Sequence, residues 1–284
     1  QVRYSLKDLD VFKNSLVKNV ALVDNELQGK NWTSNKGGSG FGKFVKLPDP
    51  KVIAWETQDD FDFFAGRHDG FEDIGVQYTR QVIFVKNDFW IVKDDFKSDS
   101  AHHYKQVWQG RYTDENGPNL LRATAPDASG HDILQLRKVD SVKTAGARGK
   151  QWSIVSKNAS KSFGFLTIIY PYRGYSNRLD EDAEKLKIDD WAVNPSQWKT
   201  EGTNPVCLSS NRGTFFFNVK QLSKEGLSIQ VSQETDLFVK FQNNQVLIHS
   251  IGTGVKRVTV SQGEKKNEVT RTMTPGEIWA LDLG

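Results

Sequence analysis

Short apolar runs with the two-residue alternation of a strand recur along almost the whole chain. Clusters of Gly, Asn, Asp and Ser separate them, where a mixed protein would place amphipathic helices. Runs this short and evenly spaced bury one face each and need a second sheet to cover it, which is the signature of stacked antiparallel sheets. The runs include Leu16 to Val23, Tyr78 to Val85, Phe89 to Lys93, His103 to Trp108, Phe163 to Tyr170 and Phe215 to Val219. The segments DLFVKF, QVLIHS, VKRVTV and EIWALDL follow towards the end of the chain. Asn87-Asp88 and Asn243-Asn244 fall between paired runs and suit tight hairpin turns, because Asn tolerates positive φ. The expected fold is therefore all-β: a large antiparallel multi-stranded β-sandwich of super-sandwich type. One domain over 1–284 is the simplest organisation, with 221–284 available as a smaller sheet packed on it. Only Leu179 to Lys187 reads as a helical turn, and Asn31 to Gly42 reads as a Gly/Ser/Asn-rich loop.

Composition narrows the function. A net charge of +3 over 284 residues is far from the basic field of a nucleic-acid binder. No apolar run is long enough to span a bilayer. Cys207 stands alone, so no internal disulfide forms. The chain begins at Gln1 and shows no signal peptide, which reads as a mature or trimmed product. Charge is uneven: acidic residues crowd Glu56 to Asp73, and basic residues crowd Arg137 to Lys161. Two solvated edges explain this, and so does a basic stripe facing an anionic polysaccharide. No phosphate loop, zinc-spaced Cys/His set or serine elbow is present. No cofactor is implied. Loop carboxylates at Gln58 to Asp62 are of a type that can hold a structural divalent cation, but their spacing matches no EF-hand.

Two stretches carry a resemblance. In Phe12 to Gly29 (FKNSLVKNVALVDNELQG), the residues Ser15, Asn19, Val20, Leu22, Val23, Asp24 and Gln28 occur in the order of a motif that opens the sandwich domain of the heparinase II/III family. His68 to Phe96 (HDGFEDIGVQYTRQVIFVKNDFWIVKDDF) is similar to that family's hairpin, through His68, Gly70, Phe71, Tyr78, Arg80, Val82, Trp90, Ile91, Val92 and Asp94. His103 and Trp108 resemble the strand that follows. The resemblance covers roughly the first 110 residues; beyond them it rests on β pattern alone, including the closing Pro275-Gly276-Glu277-Ile278-Trp279 stretch.

The family consists of secreted bacterial enzymes with an α/α toroid followed by a β-sandwich, and they cleave uronic-acid polysaccharides by β-elimination. The resemblance implies a periplasmic or secreted protein acting on an acidic polysaccharide. It also implies that the helical toroid partner lies outside this chain. One position departs from the family: Lys18 stands where the motif has its catalytic-type histidine. A lysine does not replace an imidazole base at neutral pH without a large drop in its pKa. The family's zinc is not carried over, since Val20 occupies the corresponding place. Catalytic residues are thus not assigned.

β-Elimination needs a base, a group that neutralises the uronate carboxylate, and an acid for the leaving oxygen. Lys18 and Asn19 are candidates for contact with the carboxylate; the alternative is a solvated pair on a half-buried strand. Arg67 and His68 lie in a turn-like stretch that can face a cleft, or His68 is simply held by Asp69. Tyr170, Tyr172, Arg173 and Tyr175 form an aromatic and cationic cluster, either a lip for a sugar or a packed corner. Of the adjacent His102 and His103, one is expected inside, because neighbours on a strand point apart. Trp32, Trp55 and Trp108 are candidates for stacking on sugar rings or for the core. A non-catalytic carbohydrate-binding module, and a surface domain without sugar affinity, remain open beside the lyase reading.

Overall fold

The computed structural model describes residues 15–24, 26, 28, 30–33, 43–113, 118–147, 149–173, 187–188, 190–263 and 267–282. Tyr175, most of the 179–187 stretch and most of the 31–42 stretch lie outside them. In chain order the strands are β1 (Val20–Val23), β2 (Lys30–Thr33), β3 (Lys43–Lys46), β4 (Pro50–Thr57), β5 (Phe61–His68), β6 (Val76–Val85) and β7 (Trp90–Gln109). Next come β8 (Leu120–Thr124), β9 (Ser129–Gln135), β10 (Ser141–Ala147), β11 (Lys150–Arg173), β12 (Lys187–Ile188), β13 (Trp191–Val193) and β14 (Lys199–Glu201). The chain closes with β15 (Val206–Ser210), β16 (Gly213–Lys224), β17 (Leu227–Gln242), β18 (Gln245–Ser250), β19 (Lys256–Gln262), β20 (Asn267–Met273) and β21 (Ile278–Asp282). Helical structure among the described residues is limited to two 3-10 turns, Ser15–Val17 and Glu72–Ile74. The all-β, antiparallel sandwich class read from the alternation is the class observed.

Two compact units emerge. The first comprises Gly66–Arg80, Phe89–Arg178 and the chain before Val52. The long strands β7 and β11 form its spine: β11 pairs with β9, β9 with β8, β1 docks on β7, and β10 docks on β11. Leu22, Val107 and Trp152 pack where β1, β7 and β11 meet, with Val20 and Ile154 against them. A second core line is aromatic. Tyr78 lies 5.1 Å from Phe96, which stacks on Tyr104 at 4.6 Å and meets Phe165 edge-on at 6.2 Å. The β7–β11 register shifts between Lys157 and Ser162, where Lys97 and His102 oppose Ser162 and Ser160. Four residues on β7 therefore bulge against a single one on β11, which bends β7 and re-aims the side chains beyond it.

The second unit comprises Val52–Ala65, Gln81–Asp88 and Leu179–Gly284. Its sheet runs β12-β13-β15-β16-β17-β18-β21, with β14 on β16 and the β19–β20 hairpin on β17. Phe61 of β5 packs on Phe215 and Phe238 at 5.3 and 4.9 Å, and Gln81 of β6 donates to Asp236. The second apolar layer of this unit thus comes from β5 and β6. Asn243 and Asn244 take φ of 51° and 60°, joining Gln242 to Gln245 as a two-residue turn, as the sequence anticipates. The turn before β7 sits one residue earlier than the dipeptide suggested. Asn87 alone has positive φ, and the Asp88 N–H closes the turn on the Val85 carbonyl.

Candidate functional site

Tyr78, Arg80 and Asp94, three of the residues that carry the resemblance, meet inside the first unit. Asp94, on β7, is fully buried and accepts from Arg80 Nε at 2.7 Å and Arg80 Nη2 at 2.8 Å, a bidentate pair. Tyr78 Oη donates to the same carboxylate at 2.7 Å, and Gln106 Nε2 at 2.6 Å. Gln106 Oε1 in turn accepts from Gln135 and Thr167, which carries the polar line across β11 to β9. Tyr78 and Arg80 share one face of β6 by their two-residue spacing, and β7 supplies Asp94 and Gln106. Burial alone would raise the Asp94 carboxyl. The Arg80 charge and the hydrogen bonds from Arg80, Tyr78 and Gln106 outweigh it and hold the carboxyl below its ordinary value. Burial, reinforced by the Asp94 charge and hydrogen bond, pushes the Tyr78 phenol well above 10, so it is a donor and not a phenolate base.

This cluster links the two motifs. Arg80 Nη1 donates to the Asn19 carbonyl at 2.9 Å, while Asn19 Oδ1 accepts the Gln109 N–H at 2.7 Å. Lys18 and Asn19 are both exposed and form a bend leading into β1, one step before the strand expected to carry them. On the other side, the His68 ring lies 4.6 Å from Tyr78 and 5.4 Å from Phe71. His68 ends β5. Its Nδ1 accepts the Gly70 N–H at 3.0 Å, so the neutral ring carries its proton on Nε2. Nε2 is buried and has no hydrogen-bond partner among the described residues. Burial lowers the His68 pKa from 6.5, with the Asp69 charge opposing. The result is a neutral donor without an acceptor among the described residues, a state that costs about 1–3 kcal/mol unless water or a ligand acceptor meets it. Asp69 Oδ1 accepts the Asp49 N–H at 2.7 Å. Arg67 is exposed beside it.

The structure therefore brings Asn19 and His68 into one network through Arg80, Asp94 and Tyr78, with Lys18 and Arg67 as exposed cations next to its ends. Tyr170 and Tyr172 belong to another neighbourhood. Both are buried on β11 opposite β9, and Tyr172 Oη bonds Thr124 Oγ1 at 2.7 Å and the Ala123 carbonyl at 3.3 Å. Arg173 is exposed at the end of β11, and Tyr175 lies outside the described residues. Trp108 is buried, whereas Trp55 is 71% exposed.

A pair the sequence reading did not single out is Asp24 with His102. Asp24 Oδ2 meets His102 Nδ1 at 2.8 Å and Oδ1 accepts the His103 N–H at 2.8 Å. Burial acts to raise the Asp24 carboxyl, but the His102 and His103 hydrogen bonds and charges hold it below its ordinary value. The β7 bulge turns His102 inward and leaves His103 exposed, which resolves which of the adjacent histidines faces the protein. The signal was present, since Asp24 lies in the first motif and the histidine pair follows the second. Only the bulge sets their meeting. In the Asp-rich segment, Asp60 pairs with Lys240 at 2.5 Å and Asp62 with Lys86 at 3.2 Å. No group of three or more metal-ligating side chains occurs among the described residues.

Fold and site define an antiparallel all-β sandwich protein with a buried carboxylate–guanidinium–phenol network under an exposed polar bend. No family model matches the chain, and no curated protein matches it. Solved structures are similar to it. A heparan sulfate lyase HepC mutant from Pedobacter heparinus is 12% identical, with 98% of this chain and 33% of that chain covered and a TM-score of 0.48. A heparinase III gene product with methylated lysines is 10% identical, with 96% and 32% covered and a TM-score of 0.49. A further heparinase III is 12% identical, with 83% and 28% covered and a TM-score of 0.43. The chain spans about a third of the length of these structures. No helix among the described residues is long and apolar enough to cross a membrane.

Proposed function

We propose that this chain is the β-sandwich portion of a heparinase II/III-like polysaccharide lyase, forming one wall of a cleft for uronic-acid polysaccharide in the periplasm or outside the cell. The observation that carries the reading is His68, beside the network in which Arg80 joins the two motif stretches, where a buried, neutral Nε2–H has no acceptor among the described residues. In that reading, His68 donates to the uronate carboxylate or a neighbouring oxygen, and Lys18 and Arg67 supply the positive field that draws the acidic chain in. Asn19, held through both its carbonyl and its amide, fixes the bend that presents Lys18. Arg80 and Asp94 neutralise each other and act as positioning residues beneath His68.

In this reading the proton-abstracting base comes from the helical partner domain. Lys18 stands in place of an imidazole, and Tyr78 is held protonated. Those two observations also favour a second reading, a carbohydrate-binding module with no elimination chemistry.

Affinity electrophoresis in gels containing heparan sulfate, chondroitin or alginate tests the first reading. The expected result is retardation that falls in Lys18→Gln and Arg67→Gln, falls in His68→Phe, and is lost when the uronate carboxyls are reduced to alcohols. Ultraviolet absorbance of an unsaturated uronate product should appear only when a lyase toroid domain is added. Binding without product under that addition leaves the module reading; no retardation by any uronate polysaccharide ends both.

A further inference from the structure

The second unit carries a surface hollow unrelated to the network around His68. The β16–β17 hairpin turns at Glu225 and Gly226, with φ of 46° and 81°, and closes on Gly263 through a hydrogen bond from the Gly263 N–H to the Gly226 carbonyl at 3.1 Å. Beside this turn the surface opens into a hollow of about 350 Å³ bounded by Lys224, Leu227, Phe241 and Gln262. An adjoining one of about 490 Å³ continues past Gln197 and Lys199. Both volumes fall in the range of small-ligand sites, roughly 300–1,000 Å³.

Three features make this more than a gap between strands. Phe241 is 44% exposed, unusual for a ring on a central strand, and stacks at 6.2 Å and 28° on Trp198. Trp198 is itself anchored in the core of the second unit. The pair therefore forms a rigid aromatic floor with one ring open to solvent. The Lys224 ammonium lies 5.7 Å from the Trp198 ring and 5.8 Å from the Phe241 ring, held by two π faces. No ion pair between Lys224 and a described carboxylate forms within 4 Å, although Glu225 lines the same hollow. Glu225 lines both hollows and Glu268 the second, where Lys199 adds a second cation. These carboxylates, with the amides and hydroxyls of Gln262, Gln230 and Ser261, can accept from or donate to sugar hydroxyls, which leaves Lys224 and Lys199 as the cations for an acidic group.

We infer that this hollow is a second saccharide subsite, taking one acidic sugar unit with its ring face on Phe241 and its carboxylate or sulfate on Lys224. The ligand class rests on the acidic-polysaccharide reading above; the site does not share residues with it. Such a subsite gives a long chain a second point of attachment, adding avidity by tethering and not by tighter local contact.

The test is affinity electrophoresis of the full 284-residue protein in gels containing heparan sulfate, with dextran as the neutral control. Loss of one charge-assisted hydrogen bond predicts roughly tenfold weaker retardation for Lys224→Gln. Phe241→Ala is expected to weaken it similarly, and Lys224→Arg to retain it. The Trp198 indole N–H resonance, assigned by Trp198→Phe, should move on addition of a heparan sulfate oligosaccharide, including in a Lys18→Gln/Arg67→Gln background. Retardation that falls only in the Lys18 and Arg67 variants, with a stationary Trp198 signal, overturns this subsite and leaves the proposed function standing. Equal retardation in dextran overturns the acidic ligand class. No retardation in either gel overturns the proposed function and the subsite together.

Discussion

Replacing Asp94 tests the network on which the candidate site stands. The carboxylate is fully buried and accepts four hydrogen bonds, two of them from the guanidinium of Arg80, whose side chain is 23% exposed. Asp94→Leu leaves that guanidinium without its counter-charge and strips Tyr78 and Gln106 of their acceptor. Removing one partner of a buried pair costs about 3–5 kcal/mol. Asp94→Asn keeps the shape and one acceptor oxygen and belongs near the lower end. With a urea dependence of roughly 3 kcal/mol per molar, the unfolding midpoint falls by about 1 M for Asn and more for Leu. Arg80→Met combined with Asp94→Leu should lose less than the two single changes added, since an apolar pair of similar volume replaces the ion pair at small cost. Acid supplies an independent check. The folded carboxyl titrates below its ordinary 3.8, so its stabilisation is complete above that value and is lost as pH falls through the folded pKa. Asp94→Asn removes that acid limb. Urea titrations followed by near-ultraviolet circular dichroism, repeated from neutral pH downward, measure both effects. A midpoint shift below about 0.3 M with the acid limb intact would refute the reasoning, because the pair would then be contributing no more than an exposed one.

Three further outcomes follow from single sites. His249 is buried against Phe61 and Phe238, and burial lowers its pKa to about 4 from 6.5. The unfolded chain takes up the proton first as pH falls, so up to roughly 3 kcal/mol present above pH 6.5 is lost by pH 4. Melting temperatures across that range should flatten in His249→Phe, and an unchanged slope would count against the assignment. At Gly130 an added Cβ would lie 2.2 Å from the Ala123 carbonyl oxygen and 2.8 Å from Tyr172 Oη, so Gly130→Ala should cost about 1–3 kcal/mol in chemical denaturation. At the Asn243-Asn244 turn both residues hold positive φ; Asn244→Val should destabilise by about 1–2 kcal/mol while Asn244→Gly does not, in the same assay.

Local pattern determined much of this protein. The two-residue alternation marked the longest strands, β7, β11, β16 and β17 among them, because burial on one face of a sheet is written directly into that period; β4, β5, β8, β10, β15 and β20 were not read from it. Paired Asn residues marked the β17–β18 turn because few other side chains accept positive φ there. Likewise, the ordered residues of the two motif stretches pointed to Asn19, Asp24, His68, Arg80 and Asp94 before any geometry was available. What those residues do to one another is a property of the tertiary structure alone. Arg80 enters the sequence reading only as a residue of the second motif stretch, and it is the structure that pairs it with Asp94 across β6 and β7. Tyr170 and Tyr172 read as a possible lip, yet their spacing places both on the inward face of β11. His102 reaches Asp24 only because β7 bulges against β11 between Lys157 and Ser162. Lys224, Trp198 and Phe241, separated in the chain, are assembled by the pairing of β14, β16 and β17. The physical reason is common to all four. A strand's period fixes which face a side chain takes, but its partners depend on strand order and register, which arise from long-range pairing and leave no mark on the local sequence.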